Sequence, residues 1–362
     1  MNPATTSDLQ HSIERAAPSQ ETRFPGLDYL RAVAALLVVM WHTQVFGPFA
    51  VFTPDRVSSI IPTVTDILYY DVCLLAVPVF FQISLFLYIL NRKNKKGYFR
   101  RRIVRLFLLY FFWGSFSLLF VYPVLFHTDP RTFFSDFTNA AETIMTGGRS
   151  LYYYFFSLLC CVAVLEYWLY ILQKINSEKA SAFLKTGVLV ISLFSMLLFP
   201  HILAHLGFQT HYWIPLNFFP YIFTAVLLAD RLDNLGKIIL WAGLLYMVFS
   251  LFDWLCLPYY IWSNHCWHAL PPYTRISVVF GALFVVSCGL KIRGSAPFIV
   301  RKLSEYSLGI YCLHTLIEPG IFPGSWWIAH NGGAVGLAAY RVMVSVLLTY
   351  FFKKIPVLKS AF

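Results

Sequence analysis

The chain has 362 residues, of which 58% are hydrophobic, 19% aromatic and only 12% charged, and its formal net charge is +11. Soluble domains carry about 25% charged residues, so the composition excludes a water-soluble enzyme and describes a polytopic membrane protein. The basic surplus lies between apolar stretches rather than on a soluble surface, which argues against nucleic-acid binding and for membrane topology.

In chain order, residues 1–25 are polar and hold no apolar core of a cleavable signal; they read as a cytoplasmic tail. A membrane span needs about 20 mostly apolar residues. Ten candidates follow, at about 27–47, 72–90, 103–126, 150–172, 185–205, 214–229, 237–258, 272–290, 303–322 and 334–352. The sixth is short, begins at Pro215 and contains Pro220, which predicts a kink or a shifted register. With the N-terminus in the cytoplasm, all but Arg56, Arg131, Arg149, Arg275 and Arg341 of the 28 Lys and Arg fall on the inner side. That asymmetry predicts an all-α membrane domain over 26–355, with about ten transmembrane helices, both termini cytoplasmic and a short tail at 356–362. There is no internal repeat. The seven cysteines form no CxxC pair, and most sit in apolar spans as packing residues. Cys256 and Cys266 both fall outside, which leaves a disulfide between them open. No HExxH or Cys/His cluster is present, so no metal is expected.

Several constellations carry chemistry. The first span contains Asp28, Arg31 and His42, and ionisable groups in a membrane helix are functional candidates by default. Arg31 and His42 are eleven residues apart, about three turns plus 20°, so they share a face about 16 Å apart along the axis. Asp28 falls near the same stripe. The loop Asn91–Arg105 reads either as an inner topology anchor or as an anion-binding rim. Arg102 and Arg105 share a helix face there, and guanidinium forks suit phosphates, such as those of a coenzyme A thioester. His314 lies about eleven residues into the ninth span, at a depth like that of His42, with Gly309 and Tyr311 close by. Gln82 and Ser84 interrupt an apolar run in the second span, although a hydroxyl there often bonds its own backbone. Glu166 looks buried in the fourth span and has no obvious partner. There is no GxSxG nucleophile elbow. Trp213, Trp254, Trp262, Trp267, Trp326 and Trp327, with His201, His205, His211, His265 and His268, map to the outer half. They read as an interfacial belt or as a surface for sugar rings.

Together these segments resemble the acyltransferase family 3 integral membrane proteins. The family's first-helix pattern is matched by Leu27, Asp28, Leu30, Arg31 and His42. Its second-helix F-F-x-x-S-G-F is matched by Phe80, Phe81, Ser84 and Phe86, with Leu85 in place of glycine. Its R-x-x-R-x-x-P-x-Y loop is similar to Arg102, Arg105 and Tyr110, with Leu108 in place of proline. A late G-x-Y-x-x-H-like motif corresponds to Gly309, Tyr311 and His314. Ala32 stands where the family usually has glycine.

The resemblance implies transfer of an acyl group, usually acetyl, from cytoplasmic acyl-CoA to a hydroxyl of a surface or lipid-linked polysaccharide. The enzyme would lie in the inner membrane of a bacterial cell. It implies no tightly bound cofactor, only acetyl-CoA or another acyl-CoA as donor substrate. In this reading Arg102, Arg105 and Tyr110 bind the donor, and Arg31 holds it or orients the thioester. His42 is general base or transient acyl carrier, and His314 orients the acceptor or relays. Asp28, Ser84, Tyr311 and Glu166 support them. The rival reading is a transporter or flippase of lipid-linked saccharide, which ten helices with buried charges would also suit.

Overall fold

The computed structural model describes residues 24–46, 64–205, 211–263, 272–319 and 322–356, and no strand occurs among them. Its helices are α1 (Pro25–His42), α2 (Ala76–Asn94), α3 (Tyr98–Phe116), the short α4 (Phe137–Thr146), α5 (Tyr153–Gln173), α6 (Glu178–His205), α7 (Pro220–Asp230), α8 (Leu235–Ser263), α9 (Ile276–Lys291), α10 (Phe298–Leu313) and α11 (Ser325–Phe352). Every candidate span therefore has its helix. Six are long and apolar enough to cross a membrane: α2 and α3 with their extensions, α5, α6, α8 and α11. α7 and α9 are apolar but short. α1 and α10 carry ionisable side chains in their first turns, and those dilute the apolar signal. Length and apolarity alone thus do not fix the count at ten.

The contacts between helix ends follow an alternating, antiparallel order. At one end Ser304 Oγ, early in α10, donates to Asp28, early in α1, at 2.9 Å. There too Lys185 of α6 pairs with Asp230 at the end of α7 at 2.6 Å. Lys302 and Lys353 both reach Glu305, tying the start of α10 to the end of α11. This end gathers the basic loops. At the opposite end Tyr69 Oη, ahead of α2, donates to the Trp41 carbonyl at 2.6 Å. Tyr152 Oη, ahead of α5, donates to the Cys312 carbonyl at 3.1 Å.

That opposite end is closed by a buried ionic knot. Arg275 Nη2 reaches Asp71 Oδ1 at 2.6 Å, and its Nε reaches Asp253 Oδ2 at 2.8 Å. Its Nη1 donates to the Tyr70 carbonyl at 2.9 Å. Ser250 Oγ and Trp254 Nε1 complete Asp71, at 2.8 and 2.7 Å, and Ser277 Oγ donates to Asp253. Buried charges persist only when paired and hydrogen-bonded in this way.

Several expectations change. α1 ends at His42, five residues before the expected boundary. Pro215 opens a separate 3₁₀ turn, and Pro220 begins α7 instead of kinking it; at a first helical position its missing N–H costs nothing. α3 widens into a π-helix over Ser117–Leu125. α11 is broken at Gly333, whose φ of 58° and ψ of −160° suit only glycine. Cys73, Cys160, Cys161, Cys288 and Cys312 are free thiols, while the Cys256–Cys266 pairing lies outside the described residues. So do Trp267, His265 and His268, the side chains of Trp262, His201 and His205, and most of both terminal tails.

Candidate active site

α1 supplies the axis of the site because both of its faces meet protein. Ala34, Ala35, Val38 and Val39 are buried among neighbouring helices. Small residues at such positions permit close helix approach, and Gly26 packs directly against Gly289 of α9. With α1 fixed, Asp28 and Arg31 point into a cavity of about 680 Å³ at the basic end. Arg102 and Arg105 of α3 and Arg301 and Lys302 of α10 line the same cavity. A narrower slot of about 170 Å³ shares Arg31, Ser84, Arg102 and Arg105 and continues past Tyr154 to Tyr311. The Nε of Arg102 is buried and has no hydrogen-bond partner among the described residues. A buried donor left bare is costly, and an anion would satisfy it.

The slot leads toward two histidines. Tyr154 Oη lies 3.2 Å from Ser84 Oγ. The rings of Tyr154 and Tyr311 are 5.4 Å apart, and those of Tyr311 and His314 are 6.3 Å apart. His314 and His42 meet with ring centroids 5.1 Å apart. His314 is fully buried. Its Nδ1 lies 3.0 Å from the Ile310 carbonyl and 2.9 Å from that of Tyr311. Carbonyls only accept, so Nδ1 carries the hydrogen and Nε2 presents its lone pair; that Nε2 has no protein partner among the described residues. His42 is exposed to space not filled by the described residues. The Tyr311 hydroxyl is itself anchored on the Leu151 carbonyl.

The structure thus brings together Asp28, Arg31, Ser84, Arg102, Arg105 and Tyr311, and it pairs His42 with His314. α1 stops early, so His42 is its last residue, five short of the expected end of the span. Two expected residues stand apart. Tyr110 lies eight residues after Arg102, about 12 Å further along α3. Its hydroxyl donates to the Ile144 carbonyl, and its ring sits 5.7 Å from that of Phe156. Glu166 has partners after all: Arg92 Nε at 2.6 Å, Arg92 Nη2 at 2.9 Å and Tyr88 Oη at 2.6 Å. It fastens α5 to α2 and does not line the cavity. Gln82 is buried and accepts from Thr224 Oγ1 at 2.8 Å. Among the outer tryptophans, Trp213 is buried and Trp254 serves the Asp71 knot, whereas Trp326 and Trp327 are exposed.

Tyr154, in a run of three tyrosines, and the α10 cations, which resemble topology charges, carry no sequence signal of their place at the site. Arg341, by its position an outer charge, is likewise silent in the sequence. Arg341 is buried, pairs with Glu318 at 2.8 Å and donates from Nε to the Ile317 carbonyl at 3.0 Å, three residues beyond His314. No group of side chains suited to holding a metal ion occurs among the described residues.

A family model described as an acyltransferase domain, that of acyltransferase family 3, matches residues 24–351. No curated protein and no solved structure matches the chain. The family match takes in α1, with Arg31 and His42, as well as the basic cavity and His314. The chain therefore belongs to acyltransferase family 3 and is a multi-pass membrane acyltransferase.

Proposed function

We propose that this acyltransferase takes an acyl group, acetyl above all, from acyl-CoA at its basic end and passes it to a hydroxyl of a surface or lipid-linked polysaccharide. The observation that carries the reading is the slot that runs from a strongly cationic mouth to Tyr311, whose ring lies 6.3 Å from that of His314. Acyl-CoA has the matching polarity, with phosphates at one end and a reactive thioester at the other. Arg102 and Arg105 suit the phosphates as charged forks. Arg31, Ser84 and Tyr154 offer donors along the polar arm between them. Tyr311 marks the depth at which the thioester approaches the histidines. In this reading the basic end faces the cytoplasm, both termini lie there, and the membrane is the inner membrane of a bacterium.

His42 acts as general base. It takes the proton of the acceptor hydroxyl as the hydroxyl oxygen bonds to the thioester carbonyl carbon. The carbon–sulfur bond then breaks, and the proton passes to the departing CoA thiolate. A base of this kind contributes about 10²–10⁴-fold in rate. His314, with its hydrogen fixed on Nδ1, turns its Nε2 lone pair inward and orients the hydroxyl or relays its proton. The alternative order has His42 carry the acyl group transiently. The acceptor enters from the opposite end, where the exposed Trp326 and Trp327 offer flat apolar faces to sugar rings.

The test uses the purified chain in lipid nanodiscs, with acetyl-CoA and candidate glycan acceptors. Acceptor-dependent release of free thiol, with a matching acetyl mass gain on the glycan, is the expected result. Glycan movement across vesicles with no thiol release would overturn the reading.

A further inference from the structure

The cationic mouth has two walls from two different helices. Arg102 and Arg105 of α3 line both the mouth and the slot, beside Arg31. Arg301 and Lys302 of α10 line the mouth but not the slot, so they stand further from the histidine pair. Two carboxylates share this space. Asp28 accepts from Ser304 Oγ at 2.9 Å. Glu305 lies 2.9 Å from Lys302 Nζ and 3.3 Å from Lys353 Nζ, so Lys302 is held in place but half neutralised. Arg301 forms no ion pair among the described residues. Five cations against two carboxylates leave the mouth strongly positive, with the excess divided between an inner and an outer station.

One diphosphate would occupy the inner station and leave the outer cations without a counter-charge. Acyl-CoA carries two separate anionic groups. A diphosphate lies in line with the acyl arm, and a lone phosphate sits on the 3′ carbon of the ribose, further from the thioester. The order of anions along the donor matches the order of cations along the cavity. We infer that Arg301 and Lys302 form a distinct subsite for the ribose 3′-phosphate and make the enzyme discriminate against donors that end in a diphosphate alone. The inference rests on the acyl-CoA reading given above. Arg301 is the stronger member, because its fork is free to grip a phosphate in two places.

The experiment compares acetyl-CoA with acetyl-3′-dephospho-CoA on the purified full chain in nanodiscs, following thiol release. Wild type should favour acetyl-CoA in kcat/KM by about 10- to 100-fold, the worth of a charged hydrogen bond. Arg301→Gln should cut that preference several-fold. Arg301→Gln with Lys302→Met should bring acetyl-CoA down to the level of the dephospho donor. Arg102→Ala should weaken both donors alike. Should the double variant fail to fold, Arg301→Gln alone decides, because Arg301 is exposed. Binding of adenosine 3′,5′-bisphosphate against AMP, which differ only in the 3′-phosphate, should follow the same order without turnover when read by calorimetry. Equal kcat/KM for the two donors in wild type would overturn the inference, as would a preference lost in Arg102→Ala but kept in Arg301→Gln. Thiol release from neither donor would sink the acyl-CoA reading itself and this subsite with it, and that failure shows in wild type before any variant is made.

Discussion

Replacing Gly26 with alanine tests whether the close approach of α1 to α9 sets the position of Arg31. Gly26 is the second residue of α1. A Cβ added there falls on the carbonyl oxygen of Gly289, 2.6 Å from its carbonyl carbon and 3.1 Å from Ile292 Cβ. Carbon atoms rest about 3.5–4.0 Å apart, so one helix must withdraw by roughly 1 Å. The obstacle is backbone, which cannot rotate aside as a side chain can. Overpacking of this kind costs about 1–3 kcal/mol. Arg31 lies little more than one turn further along, so the displacement reaches the cavity, and a misplacement of about 1 Å can cost on the order of 10²-fold in rate. Gly289→Ala should be milder, because its Cβ meets the mobile Leu30 Cδ1 at 2.5 Å. Gly187→Ala has nothing within 4 Å and should be neutral or gain roughly 0.5–1 kcal/mol of helix preference. Thermal unfolding followed by tryptophan fluorescence, with the KM for acyl-CoA on each variant, checks the order. Wild-type stability and KM in Gly26→Ala would refute the argument.

Other outcomes follow from the same geometry. Arg102→Ala or Arg105→Ala should weaken acyl-CoA binding by about 1.5–3 kcal/mol, and lysine should restore it only partly because it lacks the fork; equilibrium binding to the folded variants measures this. Arg275→Met leaves the Asp71 and Asp253 carboxylates buried without their cation and should cost about 3–5 kcal/mol. Adding Asp71→Asn and Asp253→Asn should recover part of that loss in the same unfolding assay. Reporter fusions after Lys174 and after Lys359 should both report the cytoplasm, and a fusion within Thr128–Arg149 the opposite side; a C-terminus on that opposite side would break the alternation of helices.

The parts of the site that were legible in the sequence are those carried by a single helix. Helical spacing alone places Arg31 and His42 on one face, and Arg102 beside Arg105. The meeting of His42 with His314 requires α1 and α10 to run side by side in the same direction and in register, with Asp28 against Ser304 at their starts and the two histidines at their ends. Equal depth in separate spans suggested that, but no local pattern encodes it. Tyr154 was invisible because Tyr152, Tyr153 and Tyr154 look alike in sequence. Packing alone sends Tyr152 to the Cys312 carbonyl and Tyr154 to Ser84. Glu166 looks solitary in the sequence because its partner Arg92 is remote and stands among many topology charges. Tyr110 was carried by a motif whose proline is here Leu108, and the straight run of α3 takes it about two turns beyond Arg102. The two prolines of the sixth span predict a kink or a shifted register, yet each opens an element, where proline is suited.

In the proposed mechanism His42 performs the chemistry of an acyl-CoA-dependent transfer, and its replacement tests that role. Purified wild type and His42→Ala, both shown to be folded and inserted, are given acetyl-CoA and a glycan acceptor while free thiol is followed. A loss of about 10²–10⁴-fold in acceptor-dependent thiol release is expected for His42→Ala. His42→Gln, which keeps a hydrogen-bonding amide but cannot take the proton, should fail as severely. Full turnover by folded His42→Ala would contradict that role.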